Sequence, residues 1–438
     1  MTTKDLHVCL VNDSFPPSID GVANAVFNYA SIIEEKYGHV VVSTPAYPDV
    51  IDDYPFEVLR YPSLDTTNFI GYRAGIPLDL NYLQQFSDKG IDIIHSHCPI
   101  ASNFMARVLR DQIQKPIVFT YHTKFDIDIK RAVSAKLIQD AAIMALVSNI
   151  EPVDDVWVVS KGAGENLKSL GYKGEYTVMS NGVDFTKGKV EQHIQDEIFN
   201  EYSISHDKPI YLFVGRMMWY KGIKIILDAL SIVKKHDHDF TMIFVGDGLE
   251  INEIKEYCSS LNLNENIIFT GAERNREKLK AFFSIADLFL FPSTFDTNGI
   301  VVREASACAL GSVLIKGSCA AEDVTDKVNA ILIDESSDSL AKFLLEQGSN
   351  LKFLHQIGEN AQRDLYISWE DSVNHAVERY RYVIDKFEYK KPSILDADTS
   401  LLDNFFSFYA DLANTLDKAK KTYEDLNTKF NDMLDRWL

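Results

Sequence analysis

Five side chains in three stretches of the sequence are candidates for the chemistry of a site: His122, Arg216 and Lys221, Asp296 and Glu304. Arg216 and Lys221 bracket the turn "RMMWYKG". Two cations beside backbone amides suit a diphosphate, because a guanidinium grips phosphate oxygens in pairs and an ammonium adds a point charge. Asp296 and Glu304 flank Thr297, Asn298 and Gly299 and the apolar Ile300 to Val302. That order reads as a turn running into a helix, with amides aimed at an anion and Glu304 on the same side within two turns. His122 closes "PIVFTYH", and His95 and His97 close a neighbouring apolar run. Three histidines at strand ends raise the question of a metal, but no carboxylate or cysteine set completes a site, so none is expected. The pair Asp126 and Asp128 resembles a D-x-D metal clamp, yet no strand directly precedes it, and it reads as a solvated face. Near the N-terminus, Gly21 follows the loop "NDSFPPSID" and opens a helix pattern. It either lets backbone approach a ligand or is a plain structural turn. Neither a G-x-G-x-x-G nor a G-x-x-x-x-G-K-[ST] motif occurs, which disfavours dinucleotide oxidoreduction and P-loop hydrolysis.

These residues fall at the ends of apolar runs that must be strands. "LHVCLV", "HVVVST", "IDIIHSH", "PIVFTY" and "DDVWVVS" alternate with helix-period segments such as "GVANAVFNYASIIEEKYG". Continuous apolar strands separated by helices mean parallel sheets covered on both faces. The pattern restarts with "PIYLFVG", "FTMIFVG", "NIIFTG", "DLFLFPS" and "GSVLIK". Two doubly wound units in tandem are therefore expected, with ligands at the carboxyl ends of the strands. The expected boundaries are 1–185, a polar linker at 186–207, 208–370, a closing helix at 371–391 and a helical tail at 392–438. In the tail, Phe405, Tyr409, Leu412, Leu416, Ala419, Tyr423, Leu426, Phe430, Met433 and Trp437 recur at alternating spacings of four and three. That heptad seam fits a self-associating coiled coil, a helix docked on its own body, or a helix lying on a membrane surface.

Composition bounds the partners. At 438 residues, 46% hydrophobic and 25% charged, the chain can bury two sizeable cores. The formal charge of −20 disfavours nucleic acid, whose phosphates need a basic face. The five cysteines are odd in number and form no C-x-x-C pair, so they read as core residues in a reducing compartment. With no signal-peptide pattern and no membrane span, a cytoplasmic protein is expected.

Taken in order, "FPPSIDGVANAV", "GHVVVST", "FTYHT", "SNGVD", "FVGRMMWYKG", "FVGDG", "FTG" and "FPSTFDTNGIVVREASACALGSVLI" resemble the retaining glycosyltransferases of family 4. The likeness runs from Leu6 to about Phe387. It implies an α/β chain of the GT-B class: two facing Rossmann-like doubly wound parallel-sheet domains, here with a C-terminal helical tail. "SWEDSVNHAVERY" is similar to the family's closing helix, which returns to the first domain.

The resemblance implies roles. Gly21 would face the donor sugar and phosphate, and His122 would reach the sugar near its 6-hydroxyl. Arg216 and Lys221, beside Gly215, would neutralise the departing diphosphate, with the Thr297, Asn298, Gly299 and Ile300 amides adding to that site. Glu304 would bind the ribose hydroxyls, and Gly271 and Ala272 would meet the base through backbone. The family usually has Glu at the position of Asp296 and an apolar residue at Asn298, so the donor sugar is the open point. The implied reaction moves a hexose, glucose first, from a UDP-sugar to a hydroxyl acceptor, without metal or other cofactor. The region around His97 and His122 is similar to bacterial diacylglycerol glucosyltransferases, which adds a lipid acceptor and peripheral attachment at the inner face of the membrane as expectations. Lys124, Lys130, Arg131 and Lys136 would form a small basic patch there. A non-catalytic nucleotide-sugar-binding subunit and a sugar-nucleotide epimerase are the competing readings.

Overall fold

The computed structural model describes residues 5–18, 20–66, 73–76, 79–126, 129, 135–294, 296, 299–392 and 401–435, the last segment with only part of its side chains. The chain divides into two compact units. Unit 1 comprises 1–159, 163–179 and 373–438; unit 2 comprises 160–162 and 180–372.

Unit 1 is built on strands β1 (Leu6–Val11), β2 (Gly38–Pro45), β3 (Glu57–Tyr61), β6 (Ile93–Ser96), β7 (Ile117–Tyr121), β8 (Asp155–Val158) and β9 (Thr177–Val178). A short antiparallel pair, β4 (Ser63–Leu64) and β5 (Ala74–Gly75), lies beside them. The large sheet is parallel with order β3-β2-β1-β6-β7-β8-β9. Helices α1 (Gly21–Lys36), α2 (Leu80–Gln84), α3 (Ala101–Ile113), α4 (Lys136–Ile150) and α5 (Lys161–Ser169) connect them. The strands read as unbroken apolar runs because both faces are covered: all five residues of β7 are buried.

Unit 2 starts with helix α6 (Gln192–Glu201), followed by β10 (Ile210–Val214), α7 (Ile223–Lys235), β11 (Thr241–Val245), α8 (Ile251–Ser260) and β12 (Ile267–Gly271). Then come α9 (Arg276–Ile285), β13 (Leu288–Phe291), α10 (Ile300–Ala307), β14 (Ser312–Ile315), β15 (Ile331–Ile333), α11 (Ser337–Gln347) and α12 (Leu351–Asp364). The sheet order is β12-β11-β10-β13-β14-β15, all parallel. Each sheet therefore reverses its direction of growth once: beside β1 in unit 1 and beside β10 in unit 2. Ligands of such sheets sit outside the carboxyl ends of the strands at that reversal.

Two expectations are corrected, the linker and the seam of the tail. The stretch read as a linker at 186–207 contains α6, whose Ile198, together with Ile204 just after it, is buried in the core of unit 2. Its apolar residues are too sparse for the helix to stand out among polar neighbours. The closing helix α13 (Trp369–Lys386) is real, and the unit boundary falls within it, between Ser372 and Val373.

The tail forms α14 (Leu401–Asp435), but its buried stripe is Phe406, Ala410 and Ala413, one residue off the expected seam. Phe405 and Leu412 are 47% and 37% exposed, so the described part of the helix docks on unit 1 rather than offering that seam to it. The rotation follows from Arg107 on α3. Its buried guanidinium donates to Asn149 and pairs with Asp403, and the Phe406 ring lies 4.7 Å from it. Of the remaining seam positions, Leu416, Ala419, Tyr423, Leu426, Phe430, Met433 and Trp437 have side chains outside the described residues. Among the described residues, no helix is long and apolar enough to cross a membrane.

Candidate active site

In unit 2, the reversal beside β10 collects the charged residues. After β10, the chain turns through Gly215 and Arg216 and makes one 3-10 turn, Trp219–Lys221, before α7. Gly222 joins turn to helix at φ 79°, and a Cβ there would lie 2.0 Å from the Pro292 carbonyl oxygen. Only glycine tolerates both the left-handed backbone and that approach. The contact brings the ends of β10 and β13 together, and with them Lys221 and Asp296. Lys221 Nζ lies 2.5 Å from Asp296 Oδ1, while Ser293 Oγ donates to Asp296 Oδ2 at 2.6 Å. Lys221 is 8% exposed and its ammonium sits 5.9 Å from the Phe291 ring, so the pair is largely withdrawn from water. Arg216 is exposed, with its guanidinium 5.8 Å from the Tyr220 ring. A cation fixed by one carboxylate, with a second cation in the same turn, can receive an anion that develops charge.

Glu304 lies in the second turn of α10, whose N-cap is Gly299 at φ 57°. Ile300 is half-buried at the first helical position and Val302 is in the core. Glu304 accepts from Arg276 Nη2 at 2.5 Å. Burial pushes the Glu304 carboxyl above the usual carboxylate range, opposed by the Arg276 charge. Arg276 opens α9, stacks its guanidinium 4.5 Å from the Phe185 ring and lies 3.6 Å from Asp184. Gly271 ends β12 at φ 78°, and the exposed Ala272 follows it. Thr297 and Asn298 lie outside the described residues.

In unit 1, the reversal beside β1 is lined by histidines instead. His95 ends up wholly buried on β6, held by Tyr380 at Nδ1 (2.5 Å) and Thr120 Oγ1 at Nε2 (2.7 Å). His97 follows β6, where its backbone N–H donates to Val11. His122 follows β7, and its Nε2 lies 2.9 Å from His97 Nδ1. Burial lowers all three below the usual histidine range, His122 to about 3, so the imidazoles are neutral at pH 7. Asp13, after β1, accepts from Ser102 N at 2.8 Å and Tyr61 OH at 3.2 Å, and burial raises its carboxyl. Gly21 begins α1, but the first-turn amides of Val22 and Ala23 already donate to Asp20 at 2.8 Å each. The expected phosphate-facing amides there are thus partly occupied by a carboxylate of the chain itself.

The sequence singled out Lys221, Asp296 and Glu304, and the structure holds the first two against each other. It did not single out Ser293, Arg276 or Asp13, nor the contact between His97 and His122. The H-x-H pattern was the available signal for that contact. Asp126 is buried, not solvated, and accepts from Asn166 at 3.2 Å, whereas Asp128 lies outside the described residues. Of the expected basic patch, Lys136 is exposed and Lys124 half-buried, while Lys130 and Arg131 lie outside the described residues. Among the described residues, no three His, Cys, Asp or Glu side chains converge so as to hold a metal ion.

Comparison with known proteins accounts for both halves. Residues 19–187 match the family described as Glycosyltransferase Family 4, and residues 194–364 match Glycosyl transferases group 1. The chain is 25% identical over 311 residues to alpha-monoglucosyldiacylglycerol synthase of Streptococcus pneumoniae, covering 69% of each protein. It is 23% identical over 371 residues to the enzyme of that name from Acholeplasma laidlawii, covering 82% of this chain and 92% of the relative. In fold it is similar to Anabaena HepE in complex with UDP, with a TM-score of 0.69 at 18% identity over 86% of this chain and all of the other. Sucrose-phosphate synthase from Thermosynechococcus elongatus gives the same TM-score at 19% identity, over 87% of this chain and all of that one. Two family models laid end to end along two doubly wound units make this chain a member of the group 1, family 4 glycosyltransferases, with the GT-B fold.

Proposed function

We propose that the protein transfers a hexose, glucose before others, from a UDP-sugar to a hydroxyl of an acyl-lipid acceptor, with retention of the anomeric configuration. The observation that carries this reading is the Lys221–Asp296–Ser293 cluster at the sheet reversal of unit 2. Breaking the bond to a nucleoside diphosphate places negative charge on the departing phosphate. Lys221 and Arg216 neutralise that charge, so the reaction uses no divalent metal and no other cofactor. Glu304, paired with Arg276, binds the ribose. Gly271 and Ala272 take the base. Asp296 orients the sugar with one carboxylate oxygen tied to Ser293. His122 reaches the sugar as a neutral hydrogen-bonding group. The acceptor oxygen attacks on the face the phosphate leaves, and a phosphate oxygen takes its proton, so no carboxylate nucleophile is required. The acyl-lipid acceptor draws on the two relatives named alpha-monoglucosyldiacylglycerol synthase. UDP as the nucleotide draws on HepE, whose fold is similar and which binds UDP and glucose. An acyl-lipid acceptor places the protein at a membrane surface as a peripheral enzyme.

The test offers UDP-glucose, UDP-galactose and GDP-mannose to the full chain, with vesicles containing diacylglycerol, and reads products by mass spectrometry and anomeric configuration by NMR. The expected result is an α-glucosyl lipid and free UDP, with Lys221→Ala lowering turnover by about 10²–10³-fold, as loss of one charge-stabilising group does. A different UDP-sugar without UDP release would identify an epimerase. Donor binding with no turnover would identify a binding subunit. A β-linked product would overturn retention.

A further inference from the structure

We propose that His97 is a positioning residue for His122, donating its Nδ1–H to His122 Nε2 and so fixing which nitrogen of His122 carries the proton. The proposal rests on the reading that His122 meets the donor sugar. The two nitrogens are 2.9 Å apart, and the residues are 1% and 6% exposed. Both rings are neutral, so one proton lies between them and one ring must donate it. The direction follows from the other nitrogen of His97. Its Nε2 is buried and has no hydrogen-bond partner. If His122 donated, that orphaned nitrogen would carry an N–H with nothing to accept it. If His97 donates, the orphan is a bare lone pair, and an under-satisfied acceptor is the less costly of the two. His122 then carries its proton on Nδ1.

The His97 ring has little freedom to choose otherwise. The His95 ring lies 3.9 Å from it, centroid to centroid, and Tyr29 packs edge-on at 5.6 Å. His95 is itself fixed by Tyr380 and Thr120. The backbone of His97 is tied to Val11 at 2.9 Å. A chain of contacts from α13 through β6 thus ends on His122. A sugar-binding imidazole of fixed tautomer offers a hydroxyl one kind of hydrogen bond only. Specificity for a hydroxyl at that position follows.

Two substitutions separate positioning from filling space. In His97→Asn the amide stands where Nδ1 stood and can still donate to His122. In His97→Gln it stands where Nε2 stood and cannot. Full-length protein labelled with ¹⁵N-histidine reports ring tautomers directly, with His122→Asn identifying the His122 signals. The wild type and His97→Asn should show His122 protonated at Nδ1 with bare Nε2, and His97→Gln should show a mixture. In turnover of UDP-glucose, His97→Gln should lose about tenfold in kcat/KM, the worth of one hydrogen bond to the transition state. It should lose nothing with the 6-deoxy donor, while His97→Asn stays close to wild type with both. Wild-type His122 protonated at Nε2 overturns the proposal, whether or not either variant folds. Equal losses for Asn and Gln with both donors overturn it as well. If the wild type turns over no nucleotide sugar, the proposed reaction fails while the tautomer measurement still decides the His97 contact.

Discussion

Replacing His122 should change how stability depends on pH. The unfolded imidazole titrates near 6.5 and the buried one near 3. Between these values the unfolded chain binds the proton and the folded chain does not, so stability falls as pH drops from about 7 toward 3. Integrating that difference from pH 7 to pH 5 gives a loss of about 2 kcal/mol for this one residue. Other groups titrate in the same window. His95 and His97 act in the same direction. Asp111, raised to about 6, acts in the opposite one, because its folded form takes up the proton first. The comparison of wild type with His122→Asn cancels the contribution of Asp111 and the burial part, the larger one, of those of His95 and His97. The assay is pulse proteolysis across a urea series at pH 5, 6 and 7, read by mass spectrometry on peptides spanning β6 and β7. Whatever destabilisation His122→Asn causes at pH 7 should shrink by about 2 kcal/mol at pH 5. A wild-type-minus-variant difference that stays constant over this range would refute the burial argument, and with it the neutral state assigned to His122.

Two further outcomes follow from the packing. Gly222→Ala should lower both stability and turnover, because the new Cβ meets the Pro292 carbonyl and drives Lys221 from Asp296; a loss of several-fold or more in kcat is expected, and unchanged kcat would show that the turn adapts. Arg107→Ala should release the start of α14, since it leaves Asp403 without its buried partner at a cost of about 3 kcal/mol; hydrogen exchange should rise over residues 403–414 and remain unchanged in unit 2.

Much of the fold was legible because fully covered parallel strands cannot hide their composition. Runs such as "PIVFTY" and "PIYLFVG" are apolar on both faces, and the side chains that end them fall at ligand-binding edges by topology alone. What stayed hidden depends on contacts between distant residues. Arg276 sits in "ERNREK", which reads as a solvated helix start capped by Asn275, and nothing in it points to a carboxylate 28 positions on. The His97–His122 contact depends on the parallel register of β6 against β7, which pairs His95 with Val118 and Ser96 with Phe119. The tail periodicity gave a helix but not its rotation, because the buried stripe is chosen by a cation on another helix rather than by the heptad itself.

The two sheet reversals have opposite characters, and with His122 and Lys221 buried alike, the partners of the side chains decide which. In unit 1 the imidazoles are deeply dehydrated and tied to one another or to hydroxyls, so charge is expelled and neutral hydrogen-bonding groups remain. In unit 2 Lys221 meets a carboxylate whose side chain keeps 22% of its exposure, a setting in which an ion pair survives. A neutral rim discriminates hydroxyls by geometry but does little for a developing charge. A charged rim stabilises a leaving phosphate but discriminates sugars poorly, since its attraction is not directional.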